Sequence, residues 1–74
     1  MKMKELQEKL EELNLPKYMY SLKGGLPNEA CCIGENNGIW EVYYSERGHK
    51  SLLKTFEKEE DACQYFYKFV KEAR

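Results

Sequence analysis

The sequence predicts an α+β fold in the order α-β-β-β(-β)-α, an antiparallel meander sheet with two helices packed on one face. Two observations carry this expectation. Apolar residues recur at three- and four-residue steps near both ends of the chain and alternate in between. The alternating middle is cut at Asn37-Gly38, the preferred pair for a two-residue hairpin loop. With 74 residues the chain is expected to form a single domain, 1–74. A domain of this size buries only about 60% of its unfolded surface, so its core has to rely on aromatic side chains or on a partner.

Met3, Leu6, Leu10 and Leu13 form the stripe of the first helix, separated by Lys and Glu. Lys4/Glu8 and Glu5/Lys9 are i,i+4 pairs that add only a few tenths of a kcal/mol each. Asn14 is the expected C-terminal stop, and Pro16 forbids continuation. Tyr18–Leu22 has strand composition, and whether it pairs decides between three strands and four. The glycines and proline of "KGGLPN" interrupt it.

Glu29–Glu35 reads as the next strand. With Asn37-Gly38 as the loop, Asn36 faces Ile39, Ile33 faces Val42 and Cys31 faces Tyr44. Cys31, Ile33, Trp40, Val42 and Tyr44 then share one face, and Cys32, Glu41 and Tyr43 share the other. "SERGH" closes a second hairpin, with Ser45 starting the turn and Gly48 in its left-handed position. In the strand Lys50–Phe56, Leu52 and Phe56 are expected inside, with the Lys54 stem along apolar surface; a one-residue slip would bury Leu53 instead. From Glu57 onward the period is helical, with Ala62, Phe66, Phe69, Val70 and Ala73 as the stripe. Acids crowd the first turns of this helix and Lys68, Lys71 and Arg74 the last, as the helix dipole favours.

Composition narrows function. Charged residues make up 34% of the chain and the net charge is −1, with both signs mixed along the sequence, so electrostatics does not point to nucleic acid or an anionic membrane. No apolar run approaches the roughly 20 residues of a membrane span. The start "MKMKELQEKL" lacks a signal-peptide core, and the cysteines number three without framework spacing; a cytoplasmic, reduced protein is expected.

No catalytic residues, metal ligands or cofactors are expected. His49 is the one histidine, and Cys31 and Cys32 point to opposite faces, so at most one could use it as a base. Cys31 and Cys63 read as small core residues and Cys32 as incidental. Three scattered cysteines and one histidine do not make a zinc knuckle. Neither "KGGLPN" nor "GENNG" leads into a helix as a phosphate loop does.

The candidate contact residues are surface positions. Tyr43 is expected to face away from the core beside Glu41, and Glu46 and Arg47 project from the adjacent turn. Tyr and Arg carry much of the energy in protein interfaces. Glu60 and Asp61, in the acidic run 57–61, complete the candidate partner-binding set, although the helix N-terminus explains that run equally well. Tyr65 and Tyr67 flank the helical stripe and read as structural.

The lead-in "LPKYMYSLKGGLPNEACCI", followed by Gly38, Trp40, Val42, Tyr43, Tyr44, Glu46, Arg47 and Gly48, and then by Phe56, Glu60, Ala62, Cys63, Tyr65 and Phe66, resembles a group of small bacterial immunity proteins encoded beside polymorphic toxins. The pattern runs from about Leu15 to Val70. The resemblance implies a cytoplasmic protein that binds a cognate protein toxin and blocks it, without catalysis or cofactor. It carries over no interface residues, because interfaces in such families differ with the toxin. A monomer or a homodimer is expected, since an edge strand could pair with a second copy. The order of elements is also that of the double-stranded-RNA-binding domain, the alternative reading. That module grips phosphate with lysines at the start of its last helix. Here the position reads "EKEEDA", which repels phosphate.

Overall fold

The computed structural model describes residues 1–73, the last without its side chain. Helix α1 (Met3–Glu12) leads through a short 3₁₀ turn (Lys17–Met19) into β1 (Tyr20–Ser21). Three longer strands follow, β2 (Ala30–Asn36), β3 (Ile39–Glu46) and β4 (His49–Phe56), and the chain ends in α2 (Glu59–Ala73). The expected stripe position Ala73, as a side chain, and the expected C-terminal cation Arg74 lie outside the described residues.

Helix α1 forms where its stripe predicts, with Leu6 and Leu10 fully buried. Asn14 ends it in the left-handed region, φ 55°, and donates its N–H to the Glu11 carbonyl at 3.1 Å. Helix α2 buries Ala62, Cys63, Phe66 and Val70 completely. The two helices pack against each other and start close together. Met3 N–H donates to Glu59 Oε2 at 2.8 Å, and Cys63 Sγ lies 3.5 Å from Met3 Sδ. The Glu59 carboxylate therefore sits at both helix N-termini, where backbone N–H groups carry partial positive charge.

The sheet is four-stranded in the order β1-β2-β3-β4. The β2–β3 hairpin has the expected register, with Asn36 opposite Ile39, Ile33 opposite Val42 and Cys31 opposite Tyr44. Asn37 and Gly38 both take positive φ, 53° and 83°, as the loop demands. The second loop is built the same way on Arg47 and Gly48, φ 51° and 80°, with Glu46 opposite His49. Strands β2, β3 and β4 form the antiparallel meander. Strand β1 departs from it by running parallel to β2, with Tyr20 opposite Cys31, so the sheet is mixed. Parallel neighbours usually need a crossover of roughly a dozen residues or more. A strand of only two residues is joined here by the shorter 22–29 segment, which crosses one face of the sheet.

One face carries the main core. Cys31, Ile33 and Val42 meet Leu6, Leu10, Ala62, Cys63, Phe66 and Val70, with Trp40, Tyr44 and Phe56 half-buried around them. Trp40 thus belongs to the core face but sits at its margin. Strand β4 corrects the expected register. Phe56 turns inward as expected, opposite Trp40 and with its ring 5.4 Å from that of Tyr65, and Lys54, expected along apolar surface, lies opposite Val42. Leu52 does not turn inward: it faces Tyr43 and is 53% exposed. The cause is an irregularity between Val42 and Tyr43, where β4 advances from Lys54 to Leu52. The extra residue, Leu53, shifts the rest of the strand to the opposite face.

Candidate functional site

The second face of the sheet is covered too, by backbone. Residues Ala30, Cys32 and Tyr43 form a small buried cluster under the 22–29 loop. Gly24 and Gly25 both take positive φ, 73° and 81°. A Cβ on Gly34 would stand 3.2 Å from the Gly24 Cα, so strand and loop touch backbone to backbone. Tyr43 Oη donates to the Gly25 carbonyl at 2.6 Å, and Arg47 N–H donates to Asn28 Oδ1 at 3.1 Å. These bonds pin the loop from the sheet's middle to the β3–β4 turn.

Tyr43 was the most prominent contact candidate, and its expected exposure is corrected here. It does face away from the helices, but the loop covers it and leaves it 3% exposed. Burial pushes its phenol up to about 12, and the neighbouring Cys32 and Glu41 add to the shift. Lys50 closes the remaining side, its ammonium 4.6 Å from the Tyr43 ring centroid and ion-paired with Glu41. Glu41 is therefore half-buried and already partnered. Cys32, expected to be incidental, is fully buried in the same cluster. The signal that could have revealed this cover is Gly34. A glycine inside a strand marks close approach by another backbone.

The other candidates remain on the surface but do not form one patch. Glu46 and Arg47 lie exposed in the β3–β4 turn. Glu60 and Asp61 lie exposed in the first turn of α2, with Glu60 in an ion pair to Lys2 at 3.5 Å. Between the two pairs runs β4, eight residues long, a span of roughly 23 Å at about 3.3 Å per residue. Tyr65 and Tyr67 are structural as expected. Tyr65 packs on Phe56, and the ammonium groups of Lys9 and Lys71 lie 5.7 Å and 5.9 Å from the Tyr67 ring centroid.

What joins the two ends is an open edge. Among the described residues no strand pairs with the outer side of β4, and seven of its eight residues are exposed, with Phe56 half-buried. Leu52 at 53% and Leu53 at 42% exposure stand at its centre. Neither leucine was singled out as a contact residue, because the expected register placed Leu52 in the core. An open cleft also lies between α1 and β1, lined by Gln7, Glu11, Lys17, Tyr20, Ser21, Leu22 and Lys23.

The cysteines are packing residues. Burial raises the pKa of Cys31 and Cys32 and pushes Cys63 up to about 11, so all three stay protonated near neutrality and are poor nucleophiles. Among the described residues no helix is long and apolar enough to cross a membrane. No family model, curated protein or solved structure matches the chain.

Proposed function

We propose that this chain is a small cytoplasmic binding protein that neutralises a cognate bacterial toxin by direct contact, without catalysis. One observation carries the reading. The β4 edge is open along its length and presents Leu52 and Leu53 to solvent, flanked by Glu46 and Arg47 in the adjoining turn. Aliphatic side chains ringed by polar ones suit a protein partner. The resemblance of Gly38–Gly48 and Phe56–Phe66 to toxin immunity proteins is what suggests a toxin as that partner. Tyr43 drops out of the contact set because it lies beneath the loop. Glu46 and Arg47 stay in it, joined now by Leu52 and Leu53.

The nucleic-acid alternative finds little support in the charges. Glu59, Glu60 and Asp61 occupy the first turn of α2, where phosphate would have to dock. The test is co-expression with the product of the neighbouring upstream gene, followed by purification at low and high salt. A stoichiometric complex that survives high salt, together with rescue of growth from that product's toxicity, supports the reading. Nucleic acid in the eluate, with no protein partner and no rescue, overturns it.

A further inference from the structure

We propose that the β4 edge takes an extended, acidic segment of a partner protein as an added strand. This rests on the reading of the chain as a protein-binding module and names the chemistry of its partner. An edge strand offers a row of unpaired N–H and C=O groups, and proteins usually protect it by shortness, proline, charge or a cover. Here β4 is eight residues long, has no proline, and carries two exposed leucines at its centre. Among the described residues its guards are a local irregularity and positive charge.

The charge is one-sided. From Arg47 to Phe56 the chain reads Arg-Gly-His-Lys-Ser-Leu-Leu-Lys-Thr-Phe, without a carboxylate, although the whole protein has a net charge of −1. Lys50 is already paired with Glu41. Among the described residues Lys54 has no carboxylate partner; its ammonium lies 5.5 Å from the Phe56 ring centroid and 5.7 Å from that of Tyr65. It is held by aromatic faces and left free for an anion. A strand with aliphatic residues flanked by Asp or Glu would cover Leu52 and Leu53, pair the backbone and answer Lys54.

A second copy of this chain fits less well. Antiparallel self-pairing that sets Leu52 against Leu53 places Lys50 opposite Thr55 and Lys54 opposite Ser51, so no carboxylate answers either lysine, and a register centred on Leu52 sets Lys50 directly against Lys54, where like charges destabilise the pair. Nucleic acid fits less well again, since one free lysine cannot replace a row of phosphate contacts.

The probe is a capped eight-residue peptide, matched to β4, that alternates Glu with Val. Its control carries Lys in place of each Glu. Each is titrated into the full-length protein while backbone amide shifts and hydrogen exchange are followed. The expected result is protection by the Glu peptide of those His49–Phe56 amides that point away from β3, with affinity at least about tenfold above the Lys peptide. Lys54→Glu should abolish that preference, while unchanged β2 and β3 amides show that the fold is intact. Equal binding of both peptides, or no protection of β4, overturns the proposal. Protection that rises with protein concentration and needs no peptide assigns the edge to a second copy and also overturns it. So does an RNA duplex that shifts these amides when the Glu peptide does not.

The two readings fail separately. Binding of the Glu peptide by a chain that ignores its neighbouring gene product would keep the edge and remove the toxin. Binding of that product, undiminished by Lys54→Glu and Leu53→Gln, would keep the toxin and remove the added strand.

Discussion

The two faces of this sheet are buried by different means. On one, helices α1 and α2 lay apolar stripes over Cys31, Ile33 and Val42, and the core is side chain against side chain. On the other, the 22–29 loop lies over Ala30, Cys32 and Tyr43, and the contact at Gly24 and Gly34 is backbone against backbone. The first kind of burial spreads its energy over many methyl and ring contacts. The second depends on a few features: absent Cβ atoms, one phenol hydrogen bond and one ammonium over a ring. A helix face should therefore fail globally when its largest residue is truncated, whereas the loop face should loosen locally first.

Phe66→Ala is the strongest way to test the helix side. Phe66 is fully buried at the centre of the main core, and such truncations cost about 3–5 kcal/mol. A domain of 74 residues holds only about 4–11 kcal/mol at roughly 0.05–0.15 kcal/mol per residue. Chemical denaturation should find the variant unfolded or barely folded. A cooperative transition with nearly unchanged midpoint would show that the core is centred elsewhere.

Gly34→Ala addresses the loop side. The new methyl would meet the Gly24 Cα at 3.2 Å, so the loop must shift by a few tenths of an ångström, at about 1–3 kcal/mol for overpacking. Hydrogen exchange should quicken in 22–29 and at Tyr43 while α2 keeps its protection. Equal loss of protection in both places would mean that the two faces unfold as one unit.

Tyr43→Phe is milder. It removes the 2.6 Å bond to the Gly25 carbonyl, worth about 1 kcal/mol. It also changes the response to alkali. The folded state holds the phenol proton more tightly than the unfolded chain, raising its pKa from 10.0 to about 12. The stability contributed by the neutral phenol is thus complete below the unfolded value and is lost as pH climbs towards the folded one. Cys63, raised to about 11, acts in the same direction over a lower range. Denaturation at about pH 9 and about pH 11 should show a steeper loss in the wild type than in Tyr43→Phe. Parallel losses would place the alkaline sensitivity in groups other than Tyr43.

The contrast between the faces also explains what could be read in advance. The β2–β3 register follows from Asn37-Gly38 and from alternation, both local, and every predicted pair on it is present. The helical stripes are local as well. Tyr43 alternates outward as strand geometry requires, yet its burial depends on a loop folding back from β1, which no period in the sequence encodes. Alternation predicts an inward Leu52, and the extra residue at Leu53 breaks that alternation. Exposure of Glu46 and Arg47 follows from the turn, whereas the open β4 edge follows from the order of strands in the sheet.

Arg47→Asn carries the smallest expected change in stability and the clearest separation of fold from contact. Arg47 occupies the left-handed region at φ 51°, the position that Asn37 fills at φ 53° in the first hairpin. A non-glycine side chain there costs roughly 1–2 kcal/mol, and Asn bears it better than most because its short amide bonds locally. The hydrogen bond from Arg47 to Asn28 Oδ1 comes from the backbone N–H and survives the substitution. Stability should therefore rise by a few tenths of a kcal/mol to about 1 kcal/mol, giving two Asn-Gly loops of one design. If Arg47 contacts the partner, the same variant should bind it more weakly while melting at a higher temperature. A joint fall in stability and binding would instead make the guanidinium part of the fold, and the turn would lose its place in the contact surface.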